Sequence, residues 1–309
     1  MQLEVLSVNI SEKKGTPKKP FPMIDLNSHG VLNDAHAGDW NRQVSMLGME
    51  SIEKFEHQNS RKISFGEFAE NITTKGITLY ETHPLDRFIS GELELEVTQI
   101  GKECHGTSCS IFKEVGNCVM PKEGIFCRVL KPGKLRPGDQ LEYRPKIYSV
   151  HVITLSDRAS RGEYEDKSGP EIMGLIQGYF DQTNRPVSIR YSIIPDEPDN
   201  LTALLLETIK EGCDIIITTG GTGIGRRDIT PEVIKPLLDK EIPGIMEMIR
   251  LKYGTEKPNA LISRSMAGVT GNSLVFALPG SVRSVQEYMT EITPLLNHLI
   301  SMLHGLDIH

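Results

Sequence analysis

Apolar positions in the first half of the chain come in short runs, GITLYET, ELELEVTQI, GIFCRVLKPG and DQLEYRP, separated by Gly, Pro and Asn. The opening MQLEVLSVNI alternates in the same way. That rhythm predicts a mostly β domain, with one helix around Met46 to Glu56. After Arg144 the pattern changes. IYSVHVITLS reads as a buried strand, followed by a polar loop and an amphipathic helix through Pro170 to Phe180. Strand VSIRYSII, helix LTALLLETIK, strand DIIITT, helix PEVIKPLLD and strand SLVFAL follow in turn. A closing helical stretch starts at Val282, and Pro294 is expected to divide it by opening a new first turn after Thr293. Strands alternating with helices at these lengths predict βαβ units on a parallel sheet.

The break at Arg144, Pro145 and Lys146 places one domain at 1–145 and a second at 146–309, and 309 residues suit two cores of roughly 150 residues each. A hydrophobic share of 38% and a charged share of 24% indicate a globular chain rather than a disordered or fibrous one. The net charge of -7 gives no general attraction to nucleic acid or anionic membrane, so neither is expected as a partner. The N-terminus lacks the pattern of a secretory signal and no apolar stretch approaches the length of a membrane span, so a cytoplasmic protein is expected. Five cysteines, four of them at 104, 109, 118 and 127, are expected to stay as thiols in a reducing compartment. Their spacing lacks the close CxxC pairs of structural zinc sites, so no structural metal is expected.

The most informative stretch is DIIITTGGTGIGRRDITPE. A buried strand ends at Thr219 and gives way to Gly220, Gly221, Gly223 and Gly225, which let backbone amides approach a ligand with no Cβ in the way. Thr230 is expected to cap the next helix, with Pro231 at its first position. Glycines between the carboxyl end of a parallel strand and a helix N-terminus are where α/β folds bind phosphates. There is no Lys-Ser/Thr for a Walker loop, and the glycine spacing does not fit GxGxxG. Acids gather at the other strand ends: Asp157 after the first strand, Asp196 and Glu197 after VSIRYSII, Asp228 in the glycine loop, and Glu232 in its helix. Taken singly, each Asp is more often a cap or turn residue. Jointly, Asp196 and Asp228 can hold a Mg²⁺ that bridges phosphate oxygens, with Arg226 or Arg227 offsetting phosphate charge. A second glycine turn, LPGS at 278–281, again joins a strand to a helix.

In this order and spacing, TLSDRASRGEYEDKSGP, IPDE, TTGGTGIGRRDITPE and LPGS resemble the MogA and MoaB family of molybdopterin adenylyltransferases, related to the gephyrin G domain, from about Ile147 to His309. The resemblance implies a three-layer α/β domain with a mainly parallel sheet. It also implies binding of ATP, Mg²⁺ and molybdopterin, with release of pyrophosphate. It makes Asp196 and Asp228 the catalytic, metal-binding acids, with Gly220, Gly221, Thr222, Gly223 and Arg227 at the nucleotide phosphates. Pro279, Gly280 and Ser281 would lie at the pterin phosphate. Glu287 is a further candidate Mg²⁺ ligand, and Asp157 and Asp166 are secondary candidates.

In the first half, NDAHAGDWNRQVSM sets His36, Asp34, Asp39 and Arg42 around a glycine, and Cys104 stands beside Lys102 and His105 just past a strand. A thiol among cations gains thiolate character, although a buried inert cysteine is the commoner fate. DAHAG, FGEFAENITTKGI, the VTQIGKEC strand end and MPKEGIFCRVLKPGKLRPGD resemble the MOSC domain, over about Met1 to Arg144. That resemblance implies a β-barrel that binds the molybdenum cofactor or carries sulfur, with Cys104 at the family's cysteine position and His36, Asn71 and Arg128 as further site candidates. No desulfurase domain accompanies the module, so pyridoxal phosphate is not expected.

Both resemblances lead to molybdenum cofactor biosynthesis. The expected protein is a molybdopterin adenylyltransferase with an N-terminal MOSC module; the alternatives are a non-catalytic carrier of the pterin or cofactor, or a sulfurtransferase acting through Cys104. The family resemblance implies a homo-oligomer, trimer or hexamer, serving other cofactor enzymes such as the metal-inserting protein.

Overall fold

The computed structural model describes residues 1–103 and 118–306, so Cys104, His105 and Cys109 lie outside the described residues. The chain forms two compact units, divided in sequence between Lys146 and Ile147.

In the first unit seven strands close into a barrel. Around it run β11 (Gln140–Arg144), β7 (Arg87–Ser90), β8 (Leu93–Ile100), β9 (Ile125–Lys131), β5 (Val44–Gly48), β6 (Ile72–Lys75) and β1 (Gln2–Ile10). β1 pairs back onto β11 through Leu3 opposite Leu141, which leaves no open sheet edge in the ring. A short β2 (Lys19–Phe21) adds to the end of β1, and β3 (Ile24–Asn27), β4 (Gly30–Val31) and β10 (Gly133–Leu135) form a small second sheet. Neighbours in the ring are antiparallel except β5 and β6, whose parallel pairing requires a crossover. Helix α1 (Met49–Asn59) lies in that crossover. Alternate residues fill the barrel, among them Leu3, Val5, Met46, Ile72, Phe88, Leu95, Val97 and Leu141. A second cluster seats Ile52 and Phe55 of α1 against Phe68 and Phe126, with the Phe55 and Phe68 rings edge to face at 5.0 Å. A single turn, α2 (Met120–Glu123), precedes β9.

Two expectations for this unit need correction. The helix begins at Met49 rather than Met46, because Val44 to Gly48 are committed to the barrel wall. GITLYET is not a strand: Gly76, at φ +132°, ends β6, and the Thr82 hydroxyl and amide both return to the Leu79 carbonyl around a tight turn.

The second unit is built on a six-stranded sheet in the order β13 (Val187–Ile194), β12 (Tyr148–Leu155), β14 (Ile215–Thr219), β17 (Ser273–Leu278), β16 (Met266–Thr270) and β15 (Lys240–Glu241). The first four are parallel; the last two are antiparallel additions at one edge. β14 and β17 are buried along their whole length and read as unbroken apolar runs because helices cover both faces. On one face Ile153, Leu155, Ile216 and Val275 pack against Leu201 and Leu205 of α5 (Pro198–Lys210) and Ile234 of α6 (Thr230–Ile234). The other face carries α4 (Ser168–Gln182) and α8 (Val282–Leu303), with α7 (Pro243–Gly254) beside α8, and a single turn, α3 (Asp157–Ser160), follows β12. There the Tyr148 and Phe180 rings meet at 5.1 Å.

Helix α8 runs unbroken through Pro294, contrary to expectation. Met289, Ile292, Leu296 and Ile300 stay buried along one stripe on both sides of the proline. Packing along that stripe outweighs the one backbone bond a proline removes. Among the described residues no helix is long and apolar enough to cross a membrane.

Candidate active site

The sheet of the second unit determines where its chemistry gathers. Leu155 is level with Ile194, Thr154 with Thr219, and Thr219 with Leu278, so the loops after four parallel strands leave the sheet at one edge. β12 leads to β13 on one side and has β14 on the other, and α/β sheets bind ligands in the crevice at such a switch of direction.

Gly220 and Gly221, with φ of +101° and +62°, turn the chain out of β14. A Cβ on Gly220 would lie 2.4 Å from the Leu155 carbonyl oxygen, so only glycine lets the loop pass β12. The Gly220 amide donates to the Leu278 carbonyl at 3.0 Å. The amides of Gly221, Thr222 and Gly223 donate to no acceptor among the described residues. Thr230 does not cap α6. It is the helix's first residue, fully buried, with its hydroxyl donating to the Gly220 carbonyl at 2.9 Å and its amide to the Gly221 carbonyl at 3.1 Å, and so it closes the glycine loop.

Asp157 and Asp196 lie side by side, and Asp157 also accepts both Nη2 and Nε of Arg227, at 2.7 and 3.1 Å. Arg227 reaches Glu197 as well, at 3.0 Å. The bonds from Arg227 hold the Asp157 carboxyl below the usual range. Asp196 goes the other way: burial, aided by the charges of Asp157 and Asp228, pushes its carboxyl up despite the bond from the Asp157 amide. Asp228 accepts the Gly225 amide at 2.7 Å on Oδ2. The Asp228 charge thus reaches Asp196 across the crevice.

The second glycine turn meets the first. A Cβ on Gly280 would lie 3.3 Å from the Gly220 Cα, and the Thr219 hydroxyl donates to the Pro279 carbonyl at 2.9 Å. Ser281 caps the 22-residue α8, accepting the Ser284 amide at 3.2 Å. A long helix thus aims its positive end at the same edge.

Glu287 does not join the acids. Its carboxylate is taken by Lys257 and by Arg283, one turn earlier on α8. Among the described residues no three His, Cys, Asp or Glu side chains are grouped as a metal cage, so the candidate Mg²⁺ site has two carboxylates rather than three. That donor set fits Mg²⁺, which takes one or two carboxylates and completes its shell with water and phosphate oxygens. Asp166 turns inward, accepting Thr154 and Ser168 hydroxyls, each at 2.7 Å, and the Ser168 and Gly169 amides at the start of α4, at 3.0 and 2.9 Å.

Sequence reading passed over Arg264. Its Nε donates to the Gly223 carbonyl at 2.6 Å, its Nη2 to the Asp228 carbonyl at 2.8 Å, and its Nη1 to Glu232. It follows no motif and is 36 residues from Asp228, so a single sequence holds no signal for it.

In the barrel unit, Asn71 is fully buried and spent on the fold: its side chain accepts the Ser45 amide and hydroxyl and donates to the Asn9 carbonyl. Arg128 binds the buried Glu96 through Nε and Nη2, at 2.9 and 2.6 Å. Cys127 sits in the barrel core against the Met46 sulfur at 3.6 Å, and burial pushes its thiol far up, so it is inert. His36 is part-buried beside Asp34, its amide donating to Oδ1 at 2.9 Å and its Nδ1 3.4 Å from the same oxygen. Asp34 also receives Lys18, at 2.7 Å on each oxygen, in a buried pair the sequence did not suggest.

Glycine loops at the switch point of an α/β sheet are where such folds bind phosphates. Residues 151–298 match the family described as "Probable molybdopterin binding domain", and residues 33–142 match the MOSC domain. The molybdopterin adenylyltransferase of Helicobacter pylori J99 is 36% identical over 157 residues, 50% of this chain and 88% of that protein. That of Pyrococcus furiosus is 40% identical over 161 residues, 50% of this chain and 91% of that protein. The crystal structure of the molybdopterin biosynthesis enzyme MoaB from Thermus thermophilus is 38% identical, covering 51% of this chain and 97% of its own, with a TM-score of 0.46. Through its second unit the chain belongs to the molybdopterin adenylyltransferase family.

Proposed function

We propose that the second unit adenylylates molybdopterin at the expense of ATP. The observation that carries this reading is the convergence on one crevice of Asp196, Asp228 and the amides of Gly221, Thr222 and Gly223, which have no acceptor among the described residues. In the reaction, an oxygen of the pterin's terminal phosphate attacks the α-phosphorus of ATP, and the bond to the β-phosphate breaks with its electron pair leaving on pyrophosphate. Such a transfer needs positioning and charge stabilisation rather than a protein nucleophile. The amides of Gly221 to Gly223 hold phosphate oxygens, Arg227 leaves its acidic partners to meet the triphosphate, and Ser281 with the α8 N-terminus receives the pterin phosphate. Asp196 and Asp228 would hold Mg²⁺, which offsets charge on the phosphates when bound.

The barrel unit, on this reading, keeps the pterin or the finished molybdenum cofactor near its next handler, since tethering raises local concentration. Its candidate residues are His36, beside the Lys18 and Asp34 pair, and Arg128, with Cys104 as the candidate sulfur carrier; Asn71 supports the wall rather than a ligand. A cytoplasmic homo-oligomer that passes its product to a metal-inserting protein fits this role.

Purified protein mixed with ATP, Mg²⁺ and molybdopterin should release pyrophosphate. Unchanged release from Asp228→Asn would remove the catalytic assignment. Binding of both ligands without any pyrophosphate would favour the carrier.

A further inference from the structure

We propose that Arg264 is a positioning residue, which sets the nucleotide loop by fastening it at four points without itself touching substrate. The inference rests on the adenylyl-transfer reading of the same crevice. Arg264 stands between a short 3-10 segment (Pro258–Ile262) and β16, outside the glycine loop. The residue after it is anchored there: Arg250 donates through Nη1 to the Ser265 carbonyl at 3.0 Å, and the Ser265 hydroxyl lies 2.9 Å from that of buried Tyr288.

From this anchorage Arg264 reaches across to the loop. Its amide donates to the Thr222 carbonyl at 2.9 Å, and its guanidinium takes the Gly223 and Asp228 carbonyls and the Glu232 carboxylate. In a planar trans peptide, the C=O and the following N–H point in opposite directions. Turning the Thr222 carbonyl towards Arg264 therefore turns the Gly223 amide away from it, and turning the Gly223 carbonyl does the same for the Ile224 amide. Holding the Asp228 carbonyl also fixes the backbone that carries the Asp228 carboxylate. A glycine-rich loop has little conformational preference of its own, and this clamp supplies one. The guanidinium suits the task because its donors form a rigid planar fork, whereas a lysine ammonium is a single point that cannot span three acceptors.

The test compares Arg264→Ala and Arg264→Lys with the unaltered full-length protein in two assays. One is calorimetric titration with MgATP in the absence of pterin; the other is pyrophosphate release with separate KM values for MgATP and molybdopterin. Both variants should keep a cooperative melting transition. They should weaken MgATP binding and raise its KM by about tenfold or more, with the molybdopterin KM within about twofold. Arg264→Lys should not rescue Arg264→Ala, and Glu232→Gln, which removes one arm's charge, should shift MgATP in the same direction but less. Unchanged MgATP affinity in a folded Arg264→Lys protein, or equal shifts for both substrates, overturns the proposal. Should the unaltered protein bind MgATP but release no pyrophosphate, the adenylyl-transfer reading fails, while the affinity comparison still decides the role of Arg264.

Discussion

Asp157 and Asp196 hold each other crosswise: the Asp157 amide donates to the Asp196 Oδ2 at 3.0 Å, and the Asp196 amide donates to the Asp157 Oδ1 at 3.1 Å. Each carboxylate thereby fixes the other's backbone, and the ends of β12 and β13 are tied together at the crevice. Two like charges are tolerated there because Arg227 neutralises the Asp157 side.

The two acids should respond differently to substitution. Asp196→Asn keeps an oxygen for the Asp157 amide but removes a candidate metal-binding charge, and pyrophosphate release should fall by about 10²–10³-fold, the scale of losing one group that stabilises charge in a transfer. Asp157→Asn also keeps its amide bond, and Arg227 retains Glu197, so the loss should be about tenfold or less. Steady-state kinetics of both variants decide the matter; an equal loss from the two would mean that the acids act as one unit.

The dependence on Mg²⁺ should carry the signature of the raised Asp196 carboxyl. Only its ionised form binds the metal, so protons compete with Mg²⁺ as the pH falls into a range above that of an ordinary aspartate. The apparent Mg²⁺ constant should rise as the pH is lowered from 7 towards the ordinary aspartate range. Asp228→Asn removes one of the charges that push Asp196 up, and the pH at which the remaining metal binding weakens should move down. A Mg²⁺ constant flat over this interval would contradict the assignment.

Asp166 gives a prediction about stability. Burial alone would push its carboxyl up, but the bonds from Tyr191, Thr154, Ser168 and the Gly169 amide outweigh that and hold it below the usual range. Its pKa is thus lower in the folded than in the unfolded state. The stability it contributes is fully present above the unfolded value of ~3.9 and is lost as pH falls through the folded value. Asp166→Ala removes the buried acceptor of these bonds at the start of α4 and should cost about 1–2 kcal/mol at pH 7. Thermal melts should show that deficit shrinking as the pH drops below ~4.

Much of this site was legible in the sequence because strand ends and glycine turns are local features. VSIRYSII and SLVFAL coincide with β13 and β17, and parallel strands in register then bring Asp196, Gly220 and Pro279 to one edge. What stayed hidden depended on packing or on distant partners. Thr230 looked like a cap, yet its hydroxyl serves a carbonyl ten residues back. Pro294 looked like a helix break, yet the buried stripe of α8 carries through it. Glu287 looked available, but Lys257, thirty residues away in sequence, claims it. Arg264 and Lys18 gave no signal, since one exposed-looking cation among many has no periodicity to betray its partner. In the barrel the alternation revealed strands but not closure, which rests on β1 meeting β11 from opposite ends of the unit.

The buried pair in the barrel supports a last prediction, in which charge and pH act together. Burial pushes the Lys18 amine down to about 8, against the raising influence of Asp34 and Glu70. Asp34→Ala leaves that ammonium without its main anion, and a buried charge stripped of its partner costs about 3–5 kcal/mol. Removing both charges with Lys18→Met and Asp34→Asn should recover most of that loss, because hydrophobic replacements of buried ion pairs are often near neutral. Without Asp34 the folded-state pKa of Lys18 falls further below the unfolded value of ~10.4. The folded Asp34→Ala protein then binds fewer protons than the unfolded chain from a lower pH upward, and its stability rises with pH in that window. Its deficit relative to the unaltered protein should be largest near pH 6 and should shrink by pH 9, when Lys18 is mostly neutral in both. Denaturant melts at the two pH values measure this directly. A deficit that is constant with pH, and as large in the double variant, would show that hydrogen bonds from Ser11 and His36 to Asp34, rather than its pairing with Lys18, secure this wall of the barrel.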